Sequence, residues 1–160
     1  MASSKKAGRT PAYRLVSTKW LGGALSGEGA RKYGGRWNSP GRPAVYLGST
    51  RSLCALELLV HLPSPGSRRK AFSFLSLELP SASIHTLPTS ALPESWREDP
   101  PTSATMHLGD DWLAAGSSLA LAVPSAIMPE EWNFLLNPLH PDFHRLKISE
   151  PAAFRFDQRL

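Results

Sequence analysis

Prolines are spread so densely along this sequence that they limit the length of every regular element. There are 15 prolines and 12 glycines among 160 residues. A proline inside a helix removes a backbone hydrogen bond and clashes with the preceding turn, and glycines favour turns. We therefore expect many turns between short strands and helices rather than a bundle of long helices. A chain of this length is the usual size of one domain with one core.

Short stretches with strand or helix patterns alternate along the chain. Strands are predicted at YRLVS (13–17), PAVYLGS (43–49), AFSFLSLELP (71–80, with an irregularity at Leu75) and LALAVPSAI (119–127, buried on both faces). The segment 130–149 is predicted to begin as a strand or a short turn and to loop at Asn137-Pro138. Further strands are predicted at 145–149 and 153–156. Helices are predicted over 49–62, capped by Ser49 or Thr50, and over 107–118, ended by Gly116. Residues 18–35 are expected to be a loop with a short helical turn, and residues 81–106 are expected to be mostly loop. The pattern predicts an α+β fold: a single domain over residues 12–160, with small mixed sheets and short helices, after a disordered tail over residues 1–11.

Charge and cysteine content narrow the chemistry that the chain can perform. The net charge is +5, which favours anionic partners such as nucleotides, nucleic acid or an acidic protein. Cys54 is the only cysteine, so no internal disulfide and no metal site are expected, and the five histidines show no metal-binding pattern. The chain has no signal-peptide pattern, and its longest late apolar run is broken by Pro124. We expect a cytoplasmic protein without a membrane partner.

Glu57 stands out because it lies in the helix pattern LCALELLV. Apolar residues cover nearly every face of that helix, so the helix is expected to be largely buried. A buried carboxylate costs several kcal/mol unless it is paired or lines a polar cavity. Glu57 is therefore a candidate functional residue. The alternative is a carboxylate on an exposed stripe, or one paired structurally with an arginine.

Two more candidates come from the segment before this helix. The strand that holds Tyr46 leads directly into the helix that holds Glu57, which brings the end of the strand near the first turns of the helix. Arg36 lies in the loop YGGRWNSPGR (33–42), where two glycines let an anion approach the guanidinium and Trp37 can anchor the loop by burying its ring. Arg14 in the first strand is a weaker candidate of the same kind. The alternatives are an aromatic packed on the sheet and a solvated surface arginine.

Ser125 and Asn137 lie in the stretch VPSAIMPEEWNFLLNP (123–138), Ser125 at the end of a predicted buried strand and Asn137 just before a proline. Taken alone, Ser125 reads as a turn or cap residue and Asn137 as the start of an Asx turn. No GxSxG surrounds Ser125, which argues against a hydrolase nucleophile. The chain also lacks a Walker motif, GxGxxG and HExxH.

Seven motifs in order resemble the RES domain family across residues 13 to 148. They are YR (13–14), GGRWN (34–38), VYLGS (45–49), ALELLVH (55–61), GDDWL (109–113), VPSAIMPEEWNFLLNP (123–138) and HPDF (140–143). The arginine, tyrosine, glutamate and serine of that family match Arg36, Tyr46, Glu57 and Ser125. The resemblance implies a fold similar to that of ADP-ribosyltransferase toxins.

The resemblance also implies a function. RES proteins are toxins of bacterial toxin–antitoxin pairs, encoded beside an Xre-like helix-turn-helix antitoxin. Members consume NAD⁺ by hydrolysis or phosphorolysis, and at least one type modifies a protein instead. NAD⁺ would be the substrate, no metal would be required, and any contact with DNA would come through the antitoxin.

The same resemblance suggests a role for each candidate residue. Glu57 would bind a ribose hydroxyl and stabilise the positive charge that develops on the ribose. Tyr46 would stack on nicotinamide, and Arg36, with Arg14, would bind the pyrophosphate. Ser125 would bind the ribose or the carboxamide, and Asn137 is added as an NAD-binding residue.

Two other functions remain open at this point. One is an ADP-ribosyltransferase that modifies a macromolecule. The other is a non-enzymatic nucleic-acid-binding domain, which is less favoured because lysines and arginines are scattered and no nucleic-acid-binding motif is present. The choice among water, phosphate and protein as acceptor also stays open.

Overall fold

The computed structural model of the protein describes residues 8–160. Its strands and helices are, in chain order, β1 (Arg9–Ser17), α1 (Glu28–Tyr33), β2 (Val45–Gly48), α2 (Arg51–Leu59), β3 (Phe72–Pro80), β4 (Ile84–Thr86), α3 (Ser103–Ala115), β5 (Ala120–Pro124), β6 (Trp132–Leu136), β7 (Lys147–Ile148) and β8 (Ala152–Phe154). Short 3₁₀ turns lie in several of the connections, including Glu94–Arg97. The predicted α+β class with short helices is confirmed. None of the helices in the described part is long and apolar enough to cross a membrane.

The strands form a mixed sheet in the order β4-β5-β6-β2-β1-β3-β7, and β8 also pairs with β3. Neighbouring strands are antiparallel except for the parallel pair β4 and β5. β1 and β2 share a single registered pair, Tyr13↔Gly48. The sheet is therefore nearly divided into two smaller halves at this junction.

Arg14 links the two halves beside that junction. Its Nε donates to the Ala24 carbonyl (2.9 Å), and its Nη1 donates to the Tyr46 carbonyl in β2 (3.0 Å). Burial is the largest effect on this guanidinium and lowers its pKa, although arginine stays charged in proteins. Arg14 thus stabilises the place where the sheet opens.

A cluster of buried apolar side chains that includes Val16 of β1, Val45 of β2 and Leu136 of β6 spans both halves, and two further clusters each lie within one half. One cluster surrounds the buried Trp37 and Trp112, which pack with Leu121, Val123 and Leu135 of the β5–β6 pair. Another contains phenylalanines that meet edge to face at 5.0–5.3 Å between ring centroids, a favourable aromatic geometry. The cluster around Trp37 and Trp112 matters for the site because it includes the loop that carries Arg36.

Several predicted boundaries change in the structure. β1 begins at Arg9 because it pairs with β3 over its whole length, from Arg9↔Pro80 to Ser17↔Phe72. Residues 9–11 of the predicted tail therefore belong to a strand, and residues 1–7 lie outside the described part. The register continues through Leu75 without the predicted irregularity, since the residues of β3 from Phe72 to Leu75 are buried on both faces.

The segment predicted as mostly loop contains regular structure. β4 and the first turn of α3 both lie within residues 81–106. Three residues of β4 pair in parallel with the fully buried β5. The local sequence did not predict this strand because the strand depends on tertiary pairing. The predicted helix ends at Gly116, which adopts φ 60° as the C-cap of α3, and the predicted double-sided burial of β5 is confirmed.

Candidate active site

A cleft of about 940 Å³ opens beside the junction of the two sheet halves. It is lined by parts of β1, α1, β2 and α2, by the loop that carries Arg36, and by segments near residues 97–101 and 124–127. Arg14, Arg36, Tyr46 and Glu57 all line it. The structure therefore brings together these four sequence candidates, which lie up to 43 positions apart (57 minus 14).

Helix α2 places Glu57 on the cleft wall. The helix begins after Thr50, whose Oγ1 accepts a hydrogen bond from the Leu53 amide at 3.0 Å, as the sequence predicted. Leu53 and Cys54 are its buried residues, whereas Glu57 is half-buried. The prediction of a largely buried helix was wrong in extent, because one side of α2 faces the cleft instead of the core.

The Glu57 carboxylate is held by two side chains from the neighbouring sheet half. Its Oε1 accepts hydrogen bonds from Ser125 Oγ and from Asn133 Nδ2, each at 2.7 Å. The other oxygen, Oε2, makes no hydrogen bond with residues 8–160. One oxygen is thus fixed by the protein, and the other is left for a ligand in the cleft.

Ser125 positions this carboxylate through its hydroxyl group. It is fully buried, and its Oγ accepts from the backbone amides of Ile127 (3.2 Å) and Met128 (3.1 Å). Since a hydroxyl has one hydrogen, that hydrogen is committed to Glu57. In this structure the Ser125 hydroxyl therefore positions Glu57, and its contact with the ribose or the carboxamide stays a prediction.

Asn133 is a site residue that the sequence interpretation missed. It lies in β6, opposite Gly48 of β2 and Val123 of β5. The available signal was one amide side chain in a predicted strand next to a strand buried on both faces. That signal is weak, because a polar residue in a strand usually faces solvent.

The loop that carries Arg36 is anchored by Trp37, as predicted. Trp37 is only 3% exposed and packs in the cluster with Trp112. Its backbone approaches helix α3 so closely that a Cβ added at Gly109 would lie 1.6 Å from the Trp37 carbonyl oxygen. The loop is thus fixed by contact with a helix whose surface has no side chain at that point.

Tyr46 fixes the same loop from the other side. Its hydroxyl donates to Asn38 Oδ1 (2.6 Å) and accepts from the Trp37 amide (3.0 Å). A Cβ at Gly35 would lie 2.5 Å from this hydroxyl. Burial, the largest effect, raises the pKa of Tyr46, so the phenol stays protonated and remains a donor at neutral pH.

Asn38 is fully buried and stabilises the loop through side-chain hydrogen bonds. Its Nδ2 donates to the carbonyls of Ala30, Ser39 and Arg42 at 2.9–3.2 Å. All of its amide groups are satisfied, as expected for a buried polar side chain. The GGRWN motif is therefore a rigid support for Arg36.

Arg36 is half-buried and reaches across the cleft wall. Its Nη1 donates to the carbonyls of Trp96 (2.9 Å) and Glu98 (2.7 Å). These bonds use both hydrogens of Nη1, and no partner within residues 8–160 is recorded for Nε or Nη2. Arg36 can therefore bind an anion without leaving its place.

Asn137 is not brought to the cleft. It is 4% exposed, and its Oδ1 accepts from the Leu139 amide (3.0 Å) in an Asx turn. Its backbone amide donates to the Leu119 carbonyl. These contacts favour the turn-forming interpretation and give no basis for contact with NAD⁺. In residues 8–160, no three His, Cys, Asp or Glu side chains cluster as metal ligands.

Comparisons with known proteins identify the family of the chain. The RES domain family model matches residues 11–157. The chain is 42% identical over 149 residues to Toxin Res of Yersinia enterocolitica, covering 92% of this chain and 97% of that relative. It is 37% identical over 139 residues to the Prs ADP-ribosylating toxin of a Sphingobium species, covering 85% and 86%.

A third relative is the NAD(+) phosphorylase MbcT of Mycobacterium tuberculosis. The sequence match covers only 36 residues, at 56% identity, which is 22% of this chain and 19% of that protein. The crystal structure of the MbcT–MbcA toxin–antitoxin complex matches with a TM-score of 0.76, covering 93% of this chain and 86% of that chain at 20% identity. The two proteins share a fold.

Proposed function

Since the chain belongs to the RES domain family, we propose that it is the toxin of a bacterial toxin–antitoxin pair and consumes NAD⁺ by cleaving the nicotinamide–ribose bond. The observation that carries the proposal is the Glu57 carboxylate, held through one oxygen by Ser125 and Asn133 and facing a cleft that also presents Arg36. The names of the relatives, a toxin, an ADP-ribosylating toxin and an NAD(+) phosphorylase, support it.

The chemistry requires charge stabilisation more than proton transfer. When the carbon–nitrogen bond breaks, its electron pair leaves with nicotinamide, which departs as a neutral molecule, and positive charge develops on the ribose. An oriented carboxylate stabilises that charge, and its orientation is set before the reaction by Ser125 and Asn133. Because the leaving group is neutral, no catalytic histidine is needed.

Arg36 and Tyr46 would place the dinucleotide. The planar guanidinium of Arg36 suits a pyrophosphate oxygen pair. The Tyr46 hydroxyl is committed to the loop, so its ring is the part that remains to contact nicotinamide. Arg14 contributes positive charge to the cleft wall, but its recorded bonds give it mainly a structural role.

A second function, transfer of ADP-ribose to a protein, is favoured by the Sphingobium relative. Hydrolysis, phosphorolysis and protein modification share the first bond cleavage. They differ in whether water, phosphate or a side chain then attacks the ribosyl carbon and loses its proton. The same site residues would serve all three.

Product analysis tests the proposal and separates these acceptors. Purified protein is incubated with NAD⁺, with and without inorganic phosphate, and the products are identified by mass spectrometry. We expect release of nicotinamide, with ADP-ribose if water is the acceptor and its 1″-phosphate if phosphate is. Intact NAD⁺ in both mixtures and in a cell lysate would refute the function, and a labelled protein in the lysate would favour transfer.

We also propose that a helix-turn-helix protein of the Xre-like type is the antitoxin. The basic chain and the guanidinium groups of the cleft favour a carboxylate-bearing chain end as the inhibitor. The structural neighbour, itself solved in complex with an antitoxin, supports a partner of this general kind. Contact with DNA would come through that partner, and both proteins would act in the cytoplasm, where NAD⁺ is found.

Expression in a bacterial host checks this partnership. Expression of the chain alone is expected to deplete NAD⁺ and stop growth, and co-expression of the neighbouring helix-turn-helix protein is expected to restore both. A Glu57→Gln chain serves as the control for harm unrelated to turnover. A complex that consumes NAD⁺ as fast as the free protein would contradict the proposal.

A further inference from the structure

Two arginines 61 positions apart (97 minus 36), Arg36 and Arg97, both line the cleft. Arg36 Nη1 donates to the carbonyls of Trp96 and Glu98, the residues on either side of Arg97. The side chain of Arg97 in turn donates through Nε to the Ala126 carbonyl at 3.0 Å. The turn Glu94–Arg97 therefore presents one guanidinium and holds the other.

Most of the donors of these two groups are not used by the protein. Arg97 uses Nε in its one recorded hydrogen bond, which leaves Nη1 and Nη2, and Arg36 retains Nε and Nη2. Within residues 8–160, no carboxylate oxygen lies within 4.0 Å of either guanidinium, although Asp99 also lines the cleft. Two neighbouring cations without a paired anion attract an anionic ligand.

The tether of Arg97 places it near the catalytic carboxylate. Ala126 directly follows Ser125, whose Oγ lies 2.7 Å from Glu57 Oε1. Arg97 is thus bound to the same short segment that orients Glu57. An anion held by Arg97 would therefore lie on the side of the cleft where this segment meets Glu57.

We propose that Arg97 is a phosphoryl-binding residue that acts together with Arg36. This inference rests on the proposed NAD⁺ function. The phosphoryl group comes either from the pyrophosphate of NAD⁺ or from inorganic phosphate as acceptor. Both present oxygen pairs that fit the planar fork of a guanidinium.

Binding measurements without turnover test this role. ADP-ribose carries the pyrophosphate but has no nicotinamide to lose, and inorganic phosphate represents the acceptor. By calorimetry, we expect Arg97→Gln to weaken at least one of the two by about tenfold or more, as for the loss of a charge-assisted contact. A loss for ADP-ribose assigns Arg97 to the pyrophosphate, and a loss for phosphate alone assigns it to the acceptor.

A matched control separates binding from a purely structural tether. Arg155 is exposed, lies outside the cleft lining and also donates to a carbonyl, that of Arg69 at 3.2 Å. Arg155→Gln should bind both probes as the wild type does, and Arg36→Ala should weaken ADP-ribose. Arg97→Lys, which keeps the charge but loses the fork, should bind with intermediate affinity, and it replaces Arg97→Gln if that variant fails to fold.

The outcome separates this inference from the proposed function. Wild-type affinity for both probes in a folded Arg97→Gln protein, or no binding of either probe by the wild type, overturns the role of Arg97. Tight, Arg97-dependent binding of ADP-ribose by a wild type that leaves NAD⁺ intact would support the role of Arg97 and refute the proposed reaction.

Discussion

Replacing Glu57 by Gln is expected to lower NAD⁺ turnover by about 100-fold or more, as for the loss of one preorganised electrostatic stabiliser. The substitution is well matched to this site. An amide oxygen at the position of Oε1 can still accept from Ser125 Oγ and Asn133 Nδ2, so the network survives while the negative charge is lost. Steady-state release of nicotinamide measures the effect.

The control for this substitution is Glu78→Gln. Glu78 is exposed on β3 and is not part of the cleft lining, so turnover should stay at the wild-type value. A folded Glu57→Gln protein that also turned over NAD⁺ at the wild-type rate would remove Glu57 from the mechanism. The binding of ADP-ribose should change little in the Gln variant, which distinguishes loss of catalysis from loss of binding.

Replacing Gly109 by Ala is expected to destabilise the protein by about 2 kcal/mol or more, as for overpacking in a rigid interior. A Cβ there would lie 1.6 Å from the carbonyl oxygen and 2.6 Å from the carbonyl carbon of Trp37. Both obstacles are backbone atoms, so α3 and the loop that carries Arg36 must move apart. This cost exceeds the gain of about 1 kcal/mol that alanine brings to a helix interior.

Urea unfolding measures this effect, and Gly29→Ala provides the comparison. Gly29 also lies in a helix, α1, but a Cβ there meets nothing within 4 Å. Its free energy of unfolding should stay the same or rise. Equal stability of Gly109→Ala and the wild type would mean that the helix and the loop are not in the close contact described.

Local patterns were sufficient for the elements whose signals lie within one segment. Thr50 caps α2 as expected, Gly116 ends α3, and β5 is buried on both faces. Patterns of this kind depend on a few neighbouring residues. They could not reveal β4, a short strand that forms by pairing with β5, or the start of β1 at Arg9, which depends on pairing with Pro80.

The site was predicted in part for the same reason. Glu57, Tyr46 and Arg36 were recognisable because each combines a polar group with an apolar or glycine-rich segment, and all three line the cleft. Asn133 and Arg97 carry no such local signal. Their significance comes from partners 76 and 29 positions away, and only the folded chain brings those partners together.

Ser125 and Asn137 show what the contacts within the chain add to a predicted ligand role. Both were assigned to the ligand, yet Ser125 directs its hydrogen to Glu57 and Asn137 forms an Asx turn. The local patterns predict a turn or cap residue at Ser125 and an Asx turn at Asn137. Both describe the structure, because Ser125 Oγ also accepts from the amides of Ile127 and Met128. The family match supplied the function that we propose, and the geometry assigns what each side chain contacts.

The distance in sequence between Glu57 and its two partners also sets an order of events on the ribosome. Ser125 and Asn133 are synthesised 68 and 76 residues after Glu57. At 5–20 residues per second, this delay is on the order of 10 s. During that time the nascent chain carries the carboxylate without the groups that orient it. The emerging polypeptide therefore acquires its complete site only late in translation.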